Sequence, residues 1–202
     1  MASSSTEISN LALSHLGIGK EIADLETESS QEASACRRFY EITVGMVLEE
    51  FSWAFAKKTT TLSLIAEDPT TEWEYSYRYP TDCSLALRIL SGTRNETRQT
   101  RIPYKIVYDA TGRLIYTNEQ DAVLEYIKNV EDTGQFKFTF TMVVSLLLAF
   151  YIAPRLTGGD PFKLGERAHK KYEVLSNTAK ARSLNEQQDE EEPESEFIRE
   201  RL

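Results

Sequence analysis

The residues able to do chemistry are few and scattered in this chain of 202 residues. There are two histidines, His15 and His169, and two cysteines, Cys36 and Cys83. Structural zinc is held by four N or S donors at short, regular spacings, so this set makes no metal site. Ser14 precedes His15, but neighbours on a helix point about 100° apart and form no nucleophile–base pair by themselves. His169, between Ala168 and Lys170, reads as a helix-surface residue. Each cysteine reads as a small buried residue rather than half of a disulfide, which fits a reducing compartment. The chain has no phosphate-binding glycine loop, dinucleotide-binding turn, nucleophile elbow or paired-histidine zinc helix. Gly17 and Gly19 follow a helical pattern and read as its stop.

Carboxylates are plentiful: Glu49-Glu50, Asp68, Glu72, Glu74 and Glu131-Asp132. A pair of acids hydrolyses glycosides only when a cleft holds both beside one bond, and no spacing here places two in one cleft. Trp73, Tyr75, Tyr77 and Tyr79 alternate with Glu74, Ser76 and Arg78. Such a ladder stacks on bases or sugars when exposed. Only Arg78 and Arg88 stand near it in sequence, so the expectation is the buried face of a sheet packed on the helices. No catalytic residue, cofactor or metal is expected. Two alternatives stay open: a carboxylate-dependent hydrolase of polysaccharide or cell wall, and a single-strand nucleic-acid-binding module.

The elements that would position these residues follow from the hydrophobic period. Ile8, Leu11, Ala12 and His15 or Leu16 share one helical face, with Ser4 or Ser5 as cap. A longer helix opens at Ser30 and runs to about Phe55, with Ala33, Cys36, Tyr40, Val44, Val47 and Phe51 at helical spacing. The period then changes to two, which predicts strands over 59–65, 73–79, 85–90, 102–108, 114–117 and 122–129. Helical spacing returns from about Thr133. Phe136, Phe140, Val143, Val144, Leu147, Phe150 and Tyr151 are apolar on nearly every side, which predicts a central helix kinked or ended by Pro154. Asp160 and Pro161 read as the N-cap and first residue of a last helix. The expected fold is α+β: a four-helix bundle with a small antiparallel sheet inserted between helices 2 and 3, plus an extended acidic C-terminal tail. The expected divisions are 1–56 and 133–184 for the bundle, 57–132 for the sheet and 185–202 for the tail.

Net charge is −9, and residues 188–202 supply −5 of it, from seven acids and two bases. The remaining body is mildly acidic, which disfavours tight wrapping of nucleic acid and suits a conduit that repels it. The end of the chain, Phe197-Ile198-Arg199-Glu200-Arg201-Leu202, returns apolar residues after the acidic stretch. Phe197, Ile198, Arg199, Arg201 and Leu202 are therefore candidate interface residues, an anchor that orders on a partner. The apolar run Met142 to Ala153 is shorter than the roughly 20 residues of a membrane-spanning helix. It reads as a core helix, and no membrane partner is expected. The opening residues have neither the basic nor the apolar region of a secretory signal.

Four blocks in order resemble the tail tubular protein A family, the head-to-tail adaptors of short-tailed bacteriophages. They are the helix Ile8 to Gly17; the helix Glu32 to Tyr40 continuing through Val44, Val47, Leu48, Phe51, Trp53, Phe55 and Ala56; the turn Tyr77-Arg78-Tyr79-Pro80-Thr81-Asp82-Cys83; and Tyr126 to Asp132 leading to Phe136 and Phe140. These are packing motifs and cover about residues 5–180. The acidic end from Asp189 and the polar loop 91–101 have no counterpart in the pattern. The resemblance implies a homo-oligomeric ring, typically of twelve copies, bound beneath the portal protein of the capsid. Its lumen would pass viral DNA without sequence-specific binding. Its lower surface would receive the tail nozzle or tail tube protein, with tail fibres as a further partner. The implied location is the neck of the virion, after assembly in the host cytoplasm.

Overall fold

The computed structural model describes residues 4–92 and 100–186, which divide into two compact units. The first joins residues 4–56 to 129–186, and the second is Lys57–Lys128.

The first unit is built on four helices: α1 (Ser5–His15), α2 (Gln31–Glu50), α3 (Phe138–Leu156) and α4 (Leu164–Asn185). Ser4 Oγ accepts from Glu7 N–H and Ser30 Oγ accepts from Ala33 N–H, so each serine satisfies an otherwise orphaned amide at a helix start. Asn10 clamps the connection after α1, donating from Nδ2 to the Ile22 carbonyl (2.9 Å) and accepting from Ile22 N–H (2.8 Å). Eleven of the nineteen residues of α3 are buried, on all sides of the helix, and α1, α2 and α4 each pack against it. A helix apolar all round has no solvent face to offer, so it takes the centre. By length and composition alone α3 could also cross a membrane; its burial among the other three helices accounts for that composition.

The expected four-helix bundle with one small inserted sheet is overturned in both halves. The helices are not four equivalent members of a bundle; three surround a central one. Among the described residues the strands are seven, in two antiparallel sheets: β1 (Lys57–Thr61), β7 (Val123–Lys128) and β4 (Cys83–Ile89) in the order β1-β7-β4, and β2 (Leu64–Thr70), β3 (Trp73–Arg78), β6 (Gly112–Thr117) and β5 (Tyr104–Asp109) in the order β2-β3-β6-β5. The single strand expected over 59–65 is cut at Leu62 and Ser63. Leu62 N–H donates to the Ala122 carbonyl beside one sheet, and the Ser63 carbonyl accepts from Arg78 N–H beside the other. One β-branched run thus feeds two sheets. Tyr77 and Ile115 from the larger sheet meet Cys83, Ile89, Leu124 and Tyr126 from the smaller in one core.

Three helix boundaries also move. The second helix, expected to reach about Phe55, stops at Glu50, where Phe51 turns extended, and a separate 3-10 turn follows at Ala54–Ala56. Before α3 the chain makes a 3-10 turn at Thr133–Gln135, with Asp132 accepting from Gly134 N–H. Pro161 is not the first residue of α4, which starts at Leu164 after Lys163 takes a left-handed conformation (φ 55°). Asp160 still caps that helix from four residues back, accepting from the N–H groups of Leu164 (2.7 Å) and Gly165 (2.9 Å).

Gly165 marks a tight approach of α4 to α3. A Cβ there would lie 2.9 Å from Ala153 Cβ, 3.0 Å from Asp160 Oδ2 and 3.3 Å from the Phe150 carbonyl. Pro154 has no N–H to give that carbonyl, its i−4 position, so the helix–helix approach sits where the α3 ladder is open. Gly165→Ala is expected to cost about 1–3 kcal/mol through overpacking, despite the better helix propensity of alanine. A urea melt followed by far-ultraviolet circular dichroism measures this, and an unchanged or raised midpoint would refute the tight approach.

Candidate functional site

The residues singled out in the sequence do not converge. His15 lies at the end of α1 with Nε2 3.2 Å from Ser145 Oγ on α3, while Ser14 Oγ donates to the Asn10 carbonyl. Burial, and then the charge of Lys171, lower the His15 pKa below the ordinary histidine value. His169 is wedged between aromatic rings, 4.8 Å from Phe150 and 5.7 Å from Tyr172 between ring centroids. Cys36 and Cys83 are both free and buried, and burial pushes the Cys36 thiol up to about 11. A thiol held protonated in this way is a poor nucleophile. Among the described residues no three His, Cys, Asp or Glu side chains gather as metal ligands.

Three rungs of the aromatic ladder, Tyr75, Tyr77 and Tyr79, belong to the core of the second unit, and Trp73 is half-buried. Tyr77 and Tyr79 are buried and Tyr75 packs against the same cluster. Tyr77 Oη donates to the Glu119 carbonyl (2.9 Å), and the Arg113 guanidinium lies 5.1 Å from the Tyr79 ring centroid. Ser76 on the opposite face of β3 is buried too, so the strand is covered on both sides there. No open face remains at Tyr77 on which a base could stack.

The carboxylates separate into structural roles. Glu50 at the end of α2 accepts from Tyr172 Oη and from Lys180 Nζ (2.7 Å), which ties α2 to α4. Glu131 joins Glu26 and Glu41 around a cavity of about 530 Å³ that also includes Tyr40, Asn129 and Phe136. The Tyr40 hydroxyl is buried without a hydrogen-bond partner, and burial pushes its pKa up to about 12.

One constellation in the second unit has no signal in sequence, because its members are far apart. Asp82 Oδ2 accepts from Lys58 Nζ (2.7 Å) and Oδ1 accepts from Tyr126 Oη (2.8 Å). Lys58 also lies 5.9 Å from the Tyr126 ring centroid. The carboxylate thereby pins the turn after Pro80 to β1 and β7. Burial works to raise the Asp82 pKa, but the hydrogen bonds from Lys58 and Tyr126 outweigh it and hold the group below the ordinary aspartate value. A carboxyl depressed on folding stabilises the folded state above its unfolded pKa, near about 4, and loses that contribution as pH falls through the folded value. The second unit is therefore expected to weaken below about pH 4, and Asp82→Asn to flatten that dependence. Acid unfolding followed by fluorescence of Trp73, which lies in this unit, checks it; identical acid midpoints for both proteins would refute the linkage. The Asp82 side chain is 39% exposed, so solvent screening keeps the effect small.

Large apolar side chains stand exposed on both units. Ile42 and Met46, one helical turn apart on α2, are 57% and 45% exposed. On the four-stranded sheet, the edge strands β2 and β5 expose Leu64, Ile65 and Tyr108. Phe197, Ile198, Arg199, Arg201 and Leu202 lie outside the described residues.

The fold defines a two-unit α+β protein. No protein-family model matches the chain, and no curated protein shows detectable similarity to it.

Proposed function

We propose that this chain is a structural head-to-tail adaptor of a short-tailed phage virion. Copies form a ring, twelve by the family resemblance, beneath the portal protein and above the tail nozzle, with tail fibres beside it and DNA passing through the lumen. The supporting observation is the set of exposed apolar side chains on α2 and on both edge strands of the larger sheet. An open sheet edge pairs readily with another chain, and a heterologous contact repeated about a closing rotation gives a ring. The test is electron microscopy of the full chain mixed with portal rings. The expected result is an added ring on one face of the portal, lost in the double variant Ile42→Glu, Met46→Glu while the circular dichroism spectrum is kept. Bare portals at every ratio would overturn the reading.

A second reading has one observation of its own: the cavity of about 530 Å³ with three carboxylates and an unpartnered tyrosine hydroxyl. It is a carbohydrate-cleaving site in which two of these acids share the work. Its signature is release of reducing ends from cell-wall polysaccharide, abolished by Glu131→Gln; no turnover by the intact chain removes it.

A further inference from the structure

The first unit holds a second cavity, of about 340 Å³, with the opposite character. Its walls are His15 from α1, Leu146 from α3 and one stretch of α4 carrying Leu164, Arg167, Lys170 and Lys171. Arg167, Lys170 and Lys171 stand at i, i+3 and i+4, so the three cations share one helix face. Like charges at this spacing destabilise a helix unless something neutralises them. The neighbouring carboxylates of α4 are turned to other partners: Glu166 to Lys163 (3.5 Å) and Glu173 to His169 (3.7 Å). None of the three cations forms an ion pair with a described residue. The protein as a whole holds 32 acids and 23 bases, so this face runs against its net charge.

The histidine completes the set. Ser145 Oγ donates to the Met142 carbonyl (2.9 Å), so toward His15 it accepts, and Nε2 carries the proton. Nδ1 has no partner among the described residues. The groups around the ring are the cations of α4 and the neutral Ser145 and Leu146 of α3. Two ammoniums, a guanidinium and an imidazole offer more donors than the two oxygens of a carboxylate can accept. They match the three or four oxygens of a phosphoryl group.

We propose that this cavity is a phosphoryl-binding site, with Arg167, Lys170 and Lys171 holding the oxygens and His15 Nδ1 donating once protonated. The same chemistry is met by a free phosphate and by a phosphodiester of nucleic acid. The site stands apart from the ring reading, since it needs only one copy of the chain.

The test is nuclear magnetic resonance titration of His15 in the full chain, with His15→Gln used to assign its signal. Inorganic phosphate at millimolar concentration is expected to raise the His15 pKa by about one unit, which is tenfold tighter binding to the imidazolium form. The double variant Arg167→Ala, Lys171→Ala should abolish the effect of phosphate, while Lys105→Ala, in the second unit, should leave it. A short DNA duplex supplies the other arm. If the duplex binds more tightly than phosphate and loses affinity steeply with salt, the source is a nucleic-acid backbone; if only phosphate shifts His15, it is a free phosphoryl compound. No shift with either ligand, or an equal shift in the double variant, overturns the proposal. Portal binding that persists in that variant leaves the ring reading intact.

Discussion

Replacing Trp53 with alanine is expected to lower the stability of the first unit by about 3–5 kcal/mol, the range for removing a buried tryptophan. Trp53 is 2% exposed and meets the Phe140 ring edge-on, with centroids 5.1 Å apart. Phe55 and Phe136 extend this aromatic cluster, so the cavity left behind would have rigid walls. The indole also does backbone work. Helix α2 ends at Glu50, which leaves its last carbonyls without intrahelical donors. Trp53 Nε1–H donates to the Val47 carbonyl (2.7 Å) and so caps that end. Trp53→Phe keeps most of the packing and loses the cap, so its cost should be nearer about 1 kcal/mol plus a small void. Thermal melts read at 222 nm separate the two, at about 4–8 °C per kcal/mol for a unit of this size. Equal melting temperatures for wild type and Trp53→Ala would show that the cluster does not hold the helices.

Tyr126→Ala should do comparable damage in the second unit, about 3–5 kcal/mol. Tyr126 is fully buried in the core shared by the two sheets, and its hydroxyl donates to Asp82. Removing the ring takes out the largest core side chain of β7, the central strand of the smaller sheet. Tyr126→Phe keeps the ring and frees one oxygen of a partly hydrated carboxylate, so it should cost about 1 kcal/mol. The chain's two tryptophans make the measurement selective, since Trp53 lies in the first unit and Trp73 in the second. Urea unfolding of Tyr126→Ala in a Trp53→Phe background, read by Trp73 fluorescence, should show an early transition. A Trp73 midpoint unmoved by Tyr126→Ala would place the core elsewhere.

Helices α1, α2 and α4 were legible from a periodic apolar stripe with a serine or aspartate near the start, and α3 from its apolar run alone, since Lys137 at its start makes no side-chain cap. Ser4, Ser30 and Asp160 all cap as their residue types suggest. The strands were legible as segments but not as sheets. Thr59 to Ile65 reads as one strand because β-branched residues favour extended backbone whichever sheet receives them. Only long-range partners, Ala122 and Arg78, show that the chain changes sheets at Leu62 and Ser63.

For the sites, the two cavities differ in how far sequence could have shown them. Arg167, Lys170 and Lys171 are visible as a basic helix face, but His15 lies about 150 positions earlier in the chain. Nothing local connects it to them. Glu131 likewise lies about 90 positions beyond Glu41.

Sequence alone determined where backbone conformation is local: the four helices, most of the strand segments though not β2 beyond Ile65, the central place of an all-apolar α3 and the burial of Tyr77 and Tyr79. These follow from propensity, capping and hydrophobic period, which act over a few residues. Tertiary structure alone decided how strands partition between two sheets, how Asp82 joins Lys58 to Tyr126, and which charges face a common cavity. Those outcomes depend on pairings across many tens of residues, where the competing arrangements differ in packing and desolvation rather than in any local preference.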